Sequence, residues 1–105
     1  MEKLNTFYNY TFCDGTTAQM TLTFYALYQL KSKNNALYDR YNAIMRKISS
    51  GKADELDTVT VLYVAYLCAN PSEETPLTEE EFIYKLGADR KAVIEAMQTL
   101  TNPKN

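Results

Sequence analysis

The chain has 105 residues, 46% of them apolar and 23% charged, with a formal net charge of −2 and a sequence pI of about 5.1. This is the size of one domain with ordinary globular composition, which argues against disorder, while the acidic balance argues against a free nucleic-acid-binding domain. His and Trp are absent and only Cys13 and Cys68 carry thiols, so His-dependent catalysis, His-ligated zinc and a single-chain four-cysteine site are excluded.

Met1-Glu2-Lys3-Leu4-Asn5 has no basic stretch followed by an apolar one, so no secretory leader is expected and the default location is the cytosol. Residues 6–22 read as a β-hairpin. Tyr8, Tyr10 and Phe12 alternate with Asn9 and Thr11, and Asp14-Gly15 is the pair that supplies positive φ at a tight turn. Ala18, Met20 and Leu22 then share one side of a second strand. A lone hairpin is marginal, so it must pack on the rest of the chain.

From Thr23 the period becomes helical. A helix over about 23–33 starts on a Thr23 cap and places Phe24, Leu27, Tyr28 and Leu30 on its inner side. Asn34 or Asn35 caps the next helix, about 36–48. In it Leu37, Tyr38, Tyr41, Ile44, Met45 and Ile48 recur every three or four residues opposite Asp39, Arg40, Asn42, Arg46 and Lys47. After Ser49-Ser50-Gly51-Lys52 and an acidic linker, Asp54 to Asp57, a third helix over about 57–69 is apolar almost all round. It is expected to be buried on most sides. Its composition also suits a central strand, but its length favours a helix. Asn70-Pro71 stops it.

Thr78 with Glu81 forms a capping box for a helix over about 78–86, with Glu79, Glu80 and Glu81 in the first turn and Gly87 as terminator. Asp89 caps a last helix, about 89–101, whose apolar face is Val93, Ile94, Met97 and Leu100, and Asn102-Pro103 ends it. The expected fold is α+β and mainly helical, a single domain over 1–105 in which an N-terminal β-hairpin is followed by about five packed helices. No apolar run approaches the roughly 20 residues that span a bilayer, so no membrane partner is expected.

No constellation promises catalysis or a cofactor. Asp54, Glu55 and Asp57 lack the glycine and the distal acid of a calcium loop and read as linker and helix cap. Neither cysteine has a base beside it, and both read as unpaired, buried packing residues. Charge is blocked out along the chain. Six bases against one acid occupy residues 31–52, and eight acids with no base occupy 53–81. These blocks are solvated faces or complementary docking surfaces, within the fold or between copies. Tyr25 and Tyr28, Tyr38 and Tyr41, and Tyr63 and Tyr66 recur at spacings of three in successive helices. That is more tyrosine than one small core needs, so some is expected in a protein contact.

Three stretches, Leu22-Thr-Phe-Tyr-Ala-Leu-Tyr-Gln-Leu-Lys-Ser-Lys-Asn34, Leu37-Tyr-Asp-Arg-Tyr-Asn42 and Val61-Leu-Tyr-Val-Ala-Tyr-Leu-Cys-Ala-Asn70, together resemble the tail assembly chaperones of long-tailed (siphovirus-type) phages and prophages of Gram-positive bacteria. The resemblance covers roughly residues 8–100. It implies a protein of the host bacterial cytoplasm, absent from the mature virion. Such a protein binds the long helical tape measure protein and keeps it soluble until tail tube subunits polymerise around it. The tape measure protein is the implied partner, with the major tail tube protein as a second candidate. Many such families also make a longer frameshifted product, to which this chain would be the short form. The family has no catalytic motif, so no catalytic, cofactor or metal residue is assigned.

The client contact is expected at Tyr25, Tyr28, Tyr38 and Tyr41 with the bases Lys31, Lys33 and Arg40, and self-association is expected through the two charge blocks. Two other readings stay open. One is a DNA-binding phage regulator that uses the last two helices, whose Arg90 and Lys91 are offset by Asp89 and Glu95. The other is a structural head–tail or tail component.

Overall fold

The structure, a computed structural model, describes residues 7–101. Two strands, β1 (Tyr8–Thr11) and β2 (Thr17–Met20), precede five helices: α1 (Phe24–Lys33), α2 (Asn35–Ser49), α3 (Glu55–Ala69), α4 (Glu79–Leu86) and α5 (Arg90–Thr101). The fold is α+β and mainly helical. Thr6, the first residue of the expected hairpin, the N-terminal Met1–Asn5 stretch and the Asn102-Pro103 stop lie outside the described residues. Among the described residues no helix is long and apolar enough to cross a membrane.

β1 and β2 pair antiparallel, with Tyr8 opposite Met20 and Tyr10 opposite Ala18, so the alternating side chains meet on one face. The turn differs from the expectation that Asp14 and Gly15 supply positive φ as a pair. Phe12 N–H donates to Thr16 C=O at 2.8 Å and Gly15 N–H to Phe12 C=O at 3.0 Å, which leaves Cys13, Asp14 and Gly15 in the loop. Of these three loop residues only Gly15 has positive φ, +88°. The Asp14 carboxylate accepts from the Thr16 N–H at 3.0 Å and the Thr16 hydroxyl at 2.6 Å. These bonds hold it below the usual carboxylate range and keep the residue itself out of the left-handed region.

Helix α3 is the wall between two apolar clusters. One joins the hairpin, α4 and α5 to one side of α3 through Tyr10, Phe12, Met20, Leu62, Tyr66, Phe82 and Ala96. The other packs α1 and α2 on the opposite side through Leu27, Leu30, Leu37, Tyr41, Ile44, Val61 and Val64. A helix covered on both sides must be apolar on both sides, which is why its sequence shows no polar stripe. It begins at Glu55, two residues before the expected start. Asp54 is its N-cap, and the Asp54 and Asp57 side chains form a reciprocal capping box, so the supposed linker is the first turn of the helix.

The other caps fall where expected. The Thr23 hydroxyl accepts from Ala26 N–H, and Thr78 and Glu81 close a capping box. The Asp89 carboxylate accepts from Ala92 N–H at 3.1 Å. Asn34 serves two helices, donating its N–H to Leu30 C=O at 2.7 Å to end α1 and accepting from Leu37 N–H at 3.1 Å to start α2.

Two helix faces are rotated from expectation. In α1 the buried residues are Ala26, Leu27 and Leu30, and Phe24 and Tyr28 point outward. In α5 Ala96 takes the core position and Ile94 is exposed, because a small side chain fits closest to the hairpin and α3. Both cysteines are free, but only Cys68 is buried. Burial pushes its thiol up to about 12. Cys13, expected inside, sits on the exposed turn. Its thiol donates to Leu86 C=O at 3.1 Å and its N–H to Lys85 C=O at 3.1 Å, docking the hairpin tip on the end of α4.

Candidate protein-interaction surface

The buried stripe of α1 uses positions 26, 27 and 30, which leaves its other side to water. That side is aromatic. Phe24 is 92% exposed, Tyr25 66% and Tyr28 68%. Phe24 and Tyr28 are one helical turn apart, and the Tyr25 and Tyr28 rings stack at 6.5 Å between centroids, 25° from parallel. Lys31 and Lys33 follow in the last turn, where cations complement the helix dipole, and α1 contains no acid. The result is a short basic ledge of three uncovered aromatic rings.

The seven residues expected in the client contact are not all brought together. Tyr25, Tyr28 and Lys31 lie on α1, and the Lys31 ammonium stands 5.4 Å from the centre of the half-buried Tyr38 ring on α2. Lys33 reaches the Pro71 carbonyl at 3.4 Å. Tyr41 belongs to the core instead. It is 8% exposed, and burial raises its hydroxyl pKa. Arg40 is committed elsewhere too. Its guanidinium forks onto the Glu79 carboxylate at 3.0 and 3.1 Å, and Thr60 hydroxyl also donates to Glu79 at 3.2 Å. The Arg40 bonds hold Glu79 below the usual carboxylate range. Phe24 is the most exposed ring of the ledge, although its spacing with Leu27 and Tyr28 suggests an inner position.

The two charge blocks meet partly within the fold. Besides Arg40 with Glu79, Lys47 pairs with Asp57 at 3.1 Å. Asp57 is held below the usual range by its bond from Asp54 N–H and by Lys47. Glu55 pairs with Arg90, so all three acids of the 54–57 stretch have structural partners and Arg90 is engaged by a carboxylate.

A second surface left no mark on the sequence reading. α4 and α5 both pack on α3, and the short turn that joins them, Gly87 to Asp89, lies beside its N-terminal end. They leave an open groove of about 380 Å³ floored by Val59, Leu86 and Val93 and rimmed by Leu56, Ile83 and Ile94. Leu56 is 67% and Ile94 54% exposed. The three rim residues come from three different helices, so only their packing reveals the groove.

The third tyrosine pair does structural work. Tyr63 hydroxyl donates to Leu77 C=O at 2.9 Å, and Tyr66 hydroxyl accepts from Leu77 N–H at 2.9 Å. Both rings also pack on Phe82, fixing the approach to α4. Comparison with protein-family models, with curated proteins and with solved structures finds no match to the chain.

Proposed function

We propose that the chain is a tail assembly chaperone that holds the tape measure protein through the aromatic ledge of α1. One observation carries this reading. Of the three stretches that resemble those chaperones, Leu37–Asn42 and Val61–Asn70 supply core positions such as Leu37, Tyr41, Val61, Val64 and Tyr66. The Leu22–Asn34 stretch alone carries large aromatic side chains that the fold leaves in water. Burying an exposed Phe or Tyr side chain against a client is worth roughly 2 kcal/mol each. Tyr also binds with little loss of side-chain entropy and is enriched in interfaces. Lys31 adds attraction for acidic positions beside the client's apolar stripe. The protein would act in the host cytoplasm and leave before the virion is complete.

Co-expression with the tape measure protein of the same phage or prophage tests the reading. The tape measure protein should move from the insoluble to the soluble fraction and co-purify with the chain. Equal solubility in its absence, or purification of the chain alone, would overturn the proposal.

A further inference from the structure

The hairpin has two outer edges, and the rest of the fold occupies only one of them. Phe12 N–H donates to Thr16 C=O, Tyr8 stands opposite Met20, and Tyr10 stands opposite Ala18. In this antiparallel register Tyr8 and Tyr10 exchange main-chain bonds with β2, while Asn9 and Thr11 turn their N–H and C=O groups away from it. The outer edge of β2 is taken. Gln19 C=O accepts from the Asn70 side-chain amide at 3.1 Å, and Thr21 N–H donates to Ala65 C=O of α3 at 3.0 Å. The outer edge of β1 is taken only past its end, where Cys13 N–H donates to Lys85 C=O at 3.1 Å. Asn9 and Thr11 are exposed, and among the described residues nothing bonds their outward groups. Free edges are commonly blunted by lysine or proline, and β1 has neither.

α5 packs on β1 and flanks this edge. Ala92 is half-buried against the cluster that holds Tyr10 and Phe12, and Glu95 follows one turn later, exposed and on the same side of the helix. Burial and the Glu95 carboxylate raise the pKa of the Tyr8 hydroxyl, and burial with Asp89 pushes that of Tyr10 up to about 12, as two carboxylates beside the strand would do. Among the described residues Glu95 has no ion-pair partner, although Lys91 is exposed one turn before it.

We infer that the open edge of β1 takes up an extended segment of another protein as a third strand, with a lysine or arginine of that segment set against Glu95. Main-chain groups of Asn9 and Thr11 supply the affinity, as in other cases of strand addition, and the α5 flank supplies the preference. Side chains on the inner side of the added strand meet Ala92 and Glu95, so a small or apolar residue and a base fit there. A second copy fits poorly. Its own β1, Tyr8-Asn9-Tyr10-Thr11, has no base to offer, and edge-to-edge pairing would bring the Asp89 and Glu95 carboxylates of two copies together. A third strand also relieves the marginal stability of a two-stranded sheet. The inference goes beyond the client reading and does not require it, since the edge and the α1 ledge share no residue.

Calorimetric titration of the purified full chain with a short capped peptide that alternates lysine and valine tests this without any client. The peptide should bind at submillimolar concentration and slow hydrogen exchange at the Asn9 and Thr11 amides. The same peptide N-methylated throughout its backbone keeps its charge but loses every main-chain donor, and should bind at least about tenfold more weakly. Thr11→Pro removes an outward N–H that the β1–β2 ladder does not use, and should weaken binding on a similar scale. Glu95→Gln should weaken it about threefold, the scale of an exposed ion pair. Circular dichroism with thermal unfolding checks the fold of each variant, and the N-methylated peptide decides the matter on the wild-type chain if Thr11→Pro does not fold. No binding at millimolar concentration, or equal binding of the N-methylated peptide, would overturn the inference. So would a wild-type chain that binds no peptide but self-associates in sedimentation and loses that association on Thr11→Pro, which would give the edge to a second copy. None of these outcomes touches the ledge, so the client reading stands or falls on its own capture assay.

Discussion

Tyr25 with Tyr28 and Tyr63 with Tyr66 are the same local motif put to opposite uses. Each pair sits three residues apart on a helix, with near-parallel rings whose centroids are 6.5 and 6.1 Å apart. The α3 pair is consumed by the fold. Its rings close on Phe82 and its hydroxyls bind both backbone groups of Leu77. The α1 pair meets water, and the Tyr25 hydroxyl accepts from the Gln29 amide on the same helix at 3.3 Å. Tyr38 with Tyr41 lies between these extremes, one ring half-buried and one in the core. Tyrosine spacing thus reports helix geometry, and burial alone separates rings that build the core from rings left to solvent.

The sharpest way to break this contrast is truncation. Tyr66→Ala should cost about 3–5 kcal/mol in urea unfolding, as expected for emptying a buried aromatic site. Tyr25→Ala should change stability by less than about 0.5 kcal/mol, as exposed substitutions do. Similar losses from both would show that the ledge is part of the core. Next in size is Gly87→Ala. Gly87 has φ +62°, and a Cβ there would stand 2.4 Å from Cys13 Sγ, so both the backbone and the hairpin tip resist a side chain. A loss of about 2 kcal/mol is expected. Adding Cys13→Ala should recover the steric part and leave the backbone part.

Removing only a hydroxyl gives a finer test. Tyr66→Phe leaves Leu77 N–H without its acceptor and should cost about 1–2 kcal/mol, whereas Tyr28→Phe should cost nothing measurable. The smallest effect is on pH dependence. Glu79, Asp57 and Asp14 all have folded pKa values below their ordinary ones. Their contribution to stability is complete above the ordinary carboxylate range and is lost as pH falls through the lowered values. Stability should therefore hold level from pH 5 to 7, where a chain without His has no side chain of ordinary pKa to titrate, and decline below about pH 4. Arg40→Ala should remove part of that decline, and Tyr28→Ala none of it.

The local rules were legible in the sequence. Thr23, Asn34, Thr78 with Glu81, and Asp89 announce helix starts through side chains that accept backbone N–H bonds, and Gly87 announces an end by its conformational freedom. Asp54 was hidden because three acids so close together resemble a solvated linker as much as a cap and a first turn. The inner face of α1 was misplaced because Leu27 belongs to two possible stripes. The larger residues, Phe24 and Tyr28, suggest one stripe with Leu27 and Leu30, while Ala26 joins those two leucines in the one that fits against α2 and α3. Ile94 misled for the same reason, since Ala96 is the residue small enough for the tight contact. The site was half legible. Aromatic excess and basic charge marked α1, but no sequence pattern could show that Tyr41 turns inward, that Arg40 is taken by Glu79, or that Leu56, Ile83 and Ile94 surround one groove.

The measurement closest to the central claim is capture of the tape measure protein by a chain carrying Tyr25→Ala and Tyr28→Ala, beside a control carrying Tyr84→Ala. Tyr84 is also a highly exposed tyrosine but lies on α4, away from the ledge. With all three proteins folded, the ledge variant should capture at least about tenfold less client than wild type, and the control should capture as much as wild type. Undiminished capture by the ledge variant, or an equal loss in the control, would contradict the assignment of the α1 face as the client surface.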